Sequence, residues 1–218
     1  MNMQGFSTAL VAAFVLALGA PVSRAQDMGH AAHQAATTAQ APQLQQAMRD
    51  LWHGHIATTR DYAMAVHAGD SIAADQAATA VVDNAKQIAS AVAGFYGEAG
   101  GDGILELLAG HWQGVKALTD AAKAGDREAE GRHLTELADN AGAIAKFLAG
   151  ANPYLPEDAV RGALVMHSVD HKTQVDMMMS NASEEAQAAA WSRMQEHMDM
   201  IADTLSGGIA KQFPDKVQ

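Results

Sequence analysis

The chain has 218 residues, of which 49% are hydrophobic, and it carries 14 basic against 25 acidic side chains. This length is enough for one well-buried core and short for two, so we expect one domain. The formal net charge of −11 argues against nucleic acid and anionic membranes as partners and favours cations. Because the chain has no cysteine, disulfides are excluded and the fold must depend on packing.

The first 25 residues have the pattern of a secretory signal peptide. An apolar stretch is followed by Pro21 and by the small-x-small sequence Ser23-Arg24-Ala25. The apolar stretch is too short to span a bilayer. We therefore expect cleavage after Ala25 and a periplasmic or secreted protein, without a membrane span.

Residues 26–42 are rich in alanine, glutamine and threonine and show no helical periodicity, which predicts a flexible leader. Met28, His30 and His33 in this leader can bind a soft or borderline metal as an accessory site, through a thioether and two imidazoles. The alternative is an unstructured linker whose histidines have no role.

The rest of the chain, 43–218, is predicted to be a helical domain. Alanine, leucine, methionine and glutamine dominate, and apolar residues recur at helical spacing. Glycine-containing breaks and Asp or Ser N-caps divide the domain into helices at 43–68, 70–96, 102–124, 126–150, 157–180 and 184–212. The sequence thus predicts an all-α fold, a six-helix antiparallel bundle built from three helical hairpins.

A 56-residue internal repeat underlies this prediction. His55, His111 and His167 are separated by 56 residues each, and residues 51–97 match 107–153 at 16 of 47 positions without a gap. We interpret the match as a duplication whose unit is one helical hairpin.

The third copy is weaker and needs one extra residue in its turn. With that insertion, His197 corresponds to Asn84 and Asn140.

The repeated polar residues lie on the apolar stripes of their helices, at equal distances from the predicted turns. Side chains equidistant from a tight turn stand at the same level in antiparallel helices. The sequence therefore predicts one polar layer with one residue from each helix. In chain order, its members are His55, Asn84, His111, Asn140, His167 and His197.

Such a layer is costly unless its members are paired, since an unsatisfied buried polar group costs about 1–3 kcal/mol. Imidazole is a good ligand for zinc and copper, so we expect a transition metal ion, copper or zinc, bound by His55, His111, His167 and His197. Asparagine is a poor ligand for these metals. Asn84 and Asn140 are expected to orient the imidazoles from outside the ligand set, as are His171 and Glu196.

Two other interpretations of the polar layer remain. The polar layer can be structural, fixing helix register in a bundle that binds a partner or has only a structural role. A metal-dependent enzyme is less favoured, because the sequence has no nucleophile elbow, P-loop or dinucleotide motif and lacks the two Glu-x-x-His motifs of the di-iron carboxylate bundles. Methionines concentrate in the third hairpin, where they either fill the core or bind Cu(I) through their thioethers.

Two segments carry a family resemblance. Leu51-Trp52-His53-Gly54-His55 followed by Thr59-Arg60 resembles L-W-x-x-H-x-x-x-T-R, and Gly208 to Pro214 resembles G-I-x-K-Q-F-P. In both, the chain is similar to a group of small exported bacterial all-helical proteins. The resemblance implies a domain over roughly 45–217 and an exported context.

Overall fold

A computed structural model of the protein describes residues 41–217 and shows six α-helices. They are α1 (Pro42–Ala68), α2 (Ser71–Tyr96), α3 (Glu98–Ala124), α4 (Arg127–Ala151), α5 (Glu157–Met179) and α6 (Glu184–Gln212), with a 3-10 turn at Pro214–Lys216. The described range contains no β-strand, and the predicted all-α bundle is confirmed. None of the helices in this range is long and apolar enough to cross a membrane. The predicted signal peptide and the leader donors Met28, His30 and His33 lie outside the described residues.

The helix boundaries are set by local capping. Asp70, Asp126 and Ser183 each accept a hydrogen bond from the backbone N–H three residues later, at the starts of α2, α4 and α6. At the ends of α1 and α3, Gly69 and Gly125 adopt left-handed backbone conformations with φ of 75° and 71°. Glycine takes this conformation without the steric penalty of a Cβ atom, so both chain reversals are tight.

Helix α3 begins at Glu98, four residues earlier than the sequence predicts. The break is confined to Gly97, which has φ of 80°, and the glycines that follow are helical. They serve close packing: a Cβ atom at Gly101 would lie 2.9 Å from the carbonyl oxygen of Ala89 on α2. The glycine-rich segment therefore lets α2 and α3 approach each other closely.

The arrangement of the helices separates an inner set from an outer set. Each helix packs against its neighbours in the chain, and α6 also packs against α1. In addition, α1, α3 and α5 contact one another. These three helices surround the bundle axis, and α2, α4 and α6 lie outside them. An inward-facing residue on an odd-numbered helix therefore lies nearer the axis than one on an even-numbered helix, which packs against the neighbouring helices.

Two partly buried polar contacts fix α2 and α4 against the inner helices. The amide Nδ2 of Asn84 donates to the carbonyl of Leu51 at 3.0 Å, and that of Asn140 donates to the carbonyl of Leu107 at 3.1 Å. Both partners of the second contact lie 56 residues after those of the first. The duplication itself stays a prediction.

A glycine makes room for each asparagine, and the first pair gives a testable prediction. A Cβ atom at Gly54 would lie 2.8 Å from Nδ2 of Asn84. We expect Gly54→Ala to displace this amide at a cost of about 1–3 kcal/mol, which offsets the gain of about 1 kcal/mol in helix propensity and leaves a net loss of up to about 2 kcal/mol. In an Asn84→Ala background the same substitution should instead stabilise the protein. Urea denaturation of the four proteins measures the difference, and equal effects in both backgrounds would contradict the prediction.

Candidate metal centre

Four histidines from the three inner helices meet inside the bundle. His55 lies on α1, His111 on α3, and His167 and His171 lie one turn apart on α5. We refer to these four residues as the histidine cluster. Each is only 3–4% exposed, and each offers one ring nitrogen that lies within 4.8 Å of those offered by the other three.

The four imidazole rings occupy the corners of a tetrahedron with one short edge. Five of the six distances between ring centroids are 5.6–5.8 Å, and the sixth, between His167 and His171, is 4.4 Å. Imidazole nitrogens bind zinc at about 2.0–2.1 Å, which in a tetrahedral site would place the ring centroids about 5.2 Å apart. The rings therefore already stand close to the positions that a tetrahedral ion requires.

Several nitrogens of the histidine cluster have no hydrogen-bond partner. These are Nε2 of His55, both ring nitrogens of His111 and Nδ1 of His167. One contact within the cluster joins Nε2 of His167 and Nε2 of His171 at 3.0 Å. Unsatisfied buried polar atoms are costly, so the cluster has unused capacity to bind a ligand that accepts nitrogen lone pairs.

Burial keeps the imidazoles neutral. Loss of hydration lowers the pKa of His55 to about 3, with a smaller contribution from His111. Burial also lowers the pKa of His111 to about 4, and it holds the pKa of His167 and of His171 well below the usual value. Neutral imidazole is the form that binds metal ions, because protonation removes the lone pair. At neutral pH the cluster is therefore ready to bind a metal.

A small cavity borders the histidine cluster. It has a volume of about 20 Å³ and is bounded by three of the histidines, by Trp52 and by aliphatic side chains. A cavity needs roughly 10–15 Å³ to hold one water molecule, so this one has room for a single ion or water. The cavity therefore lies beside the histidines whose ring nitrogens have no hydrogen-bond partner.

The two asparagines lie at the edge of this site. The amide of Asn140 raises the pKa of His111 against the larger effect of burial, although its Oδ1 has no well-formed hydrogen bond. The amide of Asn84 binds the carbonyl of Leu51, and its Oδ1 is likewise buried without a partner. Both oxygens can accept an imidazole N–H, so their role in orienting the rings stays a prediction.

His197 and Glu196 are placed differently from the sequence prediction, which requires a correction. Nδ1 of His197 lies 2.6 Å from Oδ2 of Asp170, outside the histidine cluster. Since α6 is an outer helix, His197 reaches the flank of α5, as Asn84 and Asn140 reach the flanks of their neighbours. Glu196 is exposed and accepts a hydrogen bond from Ser192 at 3.2 Å.

His171 instead completes the cluster with His55, His111 and His167. The sequence signal for it is the spacing of four residues from His167, which puts both side chains on one helix face. The same spacing supplies two metal-ligating histidines in helical zinc motifs.

The fold and the cluster together define a helical bundle with a buried four-histidine site. No protein family model, no curated protein and no solved structure matches the chain. The function must therefore be inferred from the chemistry of the site.

Proposed function

We propose that the protein is a transition-metal-binding helical bundle that holds one copper or zinc ion in the histidine cluster. The tetrahedral placement of four buried, neutral imidazoles is the observation that carries this proposal. Tetrahedral geometry suits Zn²⁺ and Cu(I), whereas Cu(II) and Ni(II) prefer square-planar or tetragonal sites.

A role in carrying or buffering the metal fits this site better than catalysis does. Catalytic zinc sites keep one coordination position open for water or substrate, whereas four protein ligands close the coordination shell. The adjoining cavity has room for little more than the ion itself. We infer that the ion is the cargo of the protein.

The unsatisfied nitrogens argue against a purely structural polar layer. A layer that only fixes helix register is stabilised when its members hydrogen-bond one another. In the histidine cluster only His167 and His171 are joined in this way, and both nitrogens of His111 are unpaired. A bound metal accounts for the cluster better than register does.

We further propose that the protein acts outside the cytoplasm. The predicted signal peptide, the predicted leader and the family resemblance support export, and the surplus of acidic side chains is compatible with a cationic ligand. Met28, His30 and His33 are a proposed accessory site in the leader.

Elemental analysis of the mature protein, purified without a histidine tag, tests the proposed function. We expect about one zinc or copper ion per chain, because a closed four-imidazole site retains its metal through purification. His171→Gln should lower the metal content and His53→Ala should not, because His53 lies on the same helix as His55 but has its Nε2 2.9 Å from Oδ1 of Asp199.

Two further variants separate the cluster from the leader. Deletion of residues 26–40 should leave the metal content unchanged. Equal metal content in the wild type and in the His55→Ala, His111→Ala variant would refute the proposed site.

A further inference from the structure

Two exposed methionines lie on α5 and α6, the two helices of the third hairpin. Met166 on α5 is 53% exposed and Met200 on α6 is 61% exposed. Four methionines of the described helices are buried in the core, among them Met194 and Met198 with 1% and 0% exposure. Single exposed apolar side chains are ordinary. Their position relative to His197 is what makes these two informative.

The contact between Asp170 and His197 fixes the level of both methionines. Met166 lies four residues before Asp170, and Met200 lies three residues after His197. Because α5 and α6 are antiparallel, both steps run in the same direction along the bundle. At about 1.5 Å rise per residue, the two methionines stand within about 2 Å of the same level. Both therefore lie about one helical turn from the contact between Asp170 and His197.

The pairing of His197 with Asp170 prepares the imidazole as a metal ligand. Nδ1 lies 2.6 Å from the carboxylate, so that in the neutral ring Nδ1–H donates to Asp170 and the lone pair is on Nε2. A metal-binding histidine usually has its second nitrogen held by a carboxylate or carbonyl in this way. Side-chain exposure of 14% for His197 leaves it in contact with solvent.

We propose that Met166, Met200 and His197 form a surface site for Cu(I) that supplies the histidine cluster. Thioethers are soft, uncharged ligands that select Cu(I), and two thioethers with one imidazole make a three-donor site. This inference rests on the proposed function, since it assigns the surface site as the route by which metal reaches the cluster.

The route between the two sites is short because neighbouring residues of α5 belong to each of them. Met166 immediately precedes His167, and Asp170 immediately precedes His171, so helix α5 carries donors of both sites. Transfer is a ligand exchange in which a copper bond to Met166 or His197 breaks as a bond to His167 or His171 forms. Copper stays Cu(I) throughout, so no oxidant or reductant is needed. We expect the four buried imidazoles to bind Cu(I) more tightly than the three exposed donors, so that the ion moves from the surface site to the histidine cluster.

The first experiment measures the rate of Cu(I) loading without oxygen. A coloured Cu(I)–chelator complex is mixed with the mature full-length protein, and its loss of absorbance is followed. We expect Met166→Leu, Met200→Leu to load at least tenfold more slowly than wild type while taking up the same final amount at the cluster. Met64→Leu is the matched control, because Met64 is 42% exposed but lies on α1. An unchanged rate in the double methionine variant would overturn the proposal.

A second experiment detects the surface site when the cluster cannot bind. The His55→Ala, His111→Ala variant should retain one weaker Cu(I) ion in chelator competition, and adding both Met→Leu substitutions should remove it. Circular dichroism checks folding, and His55→Gln, His111→Gln replaces the double variant if that variant does not fold. Copper retention that does not depend on the methionines would overturn the surface site.

These outcomes are separable from failure of the proposed function. If the cluster binds no metal, wild type and the double histidine variant should take up the same amount of Cu(I). The methionine substitutions then show, in either protein, whether the surface site binds the ion. A methionine-dependent ion in both would support the surface site and refute the cluster as its acceptor.

Discussion

Zinc added to the metal-free protein is expected to raise its unfolding temperature by about 5–10 °C. A ligand that binds only the native state at 100 times its Kd adds about 2.7 kcal/mol to the free energy of unfolding, and each kcal/mol moves the midpoint by about 2–4 °C at this size. The physical reason is that the ion joins four rings from three helices, and several of their nitrogens are otherwise unpaired. Thermal denaturation monitored by circular dichroism measures the effect.

Variants of five histidines identify the ligands in this experiment. The zinc-induced shift should disappear in His55→Ala, His111→Ala and should fall strongly in His171→Gln. It should persist in His53→Ala and in His197→Ala, because both side chains lie outside the histidine cluster. A shift that survives the double variant would place the zinc elsewhere, and loss of the shift in His197→Ala would contradict the geometry described above.

The metal-free protein is expected to lose stability steadily as the pH falls from about 6.5 to about 5. The four histidines of the cluster have a pKa far below 6.5 in the folded state, whereas in the unfolded chain each has a pKa of about 6.5. As the pH falls below 6.5, the unfolded state therefore takes up protons that the folded state cannot. Stability is complete above pH 6.5 and is lost toward the folded-state pKa of about 4 for His111 and about 3 for His55.

The slope is steep because several sites act together. Each such histidine contributes about 1.4 kcal/mol per pH unit, so four contribute up to about 5 kcal/mol per unit, against a total stability of about 5–15 kcal/mol for a typical domain. Urea denaturation at several pH values measures the slope above the range in which carboxylates titrate. His111→Leu should reduce it by about a quarter. A pH-independent stability from 6.5 to 5 would show that the imidazoles are not buried as described.

The helices were predictable because their boundaries are encoded locally. Asp70 and Asp126 are N-caps, and Gly69 and Gly125 occupy the left-handed positions that end the preceding helices. The start of α3 was less predictable. A run of glycines ordinarily predicts a loop. Here the segment is helical, and Gly101 allows α3 to pack closely against α2.

The sequence predicted the level of the candidate site along the bundle, but not which of the residues at that level face the axis. The hairpin geometry placed His197 beside α5, where the contact with Asp170 is found. Distance from a turn does not state which helices surround the axis, because that depends on how the three hairpins pack against one another. The fourth member of the cluster is consequently His171, on an inner helix, rather than His197 on an outer one.

Because the histidine cluster takes ligands from all three hairpins, metal binding requires that all three are present and packed together. The first hairpin contributes only His55, the second only His111, and the third both His167 and His171. A chain cut or halted before α5 has two of the four ligands and cannot enclose an ion. Retention of the metal would therefore distinguish chains that include a folded α5 from products that end before it, so that metal content also reports on the folding of the three hairpins.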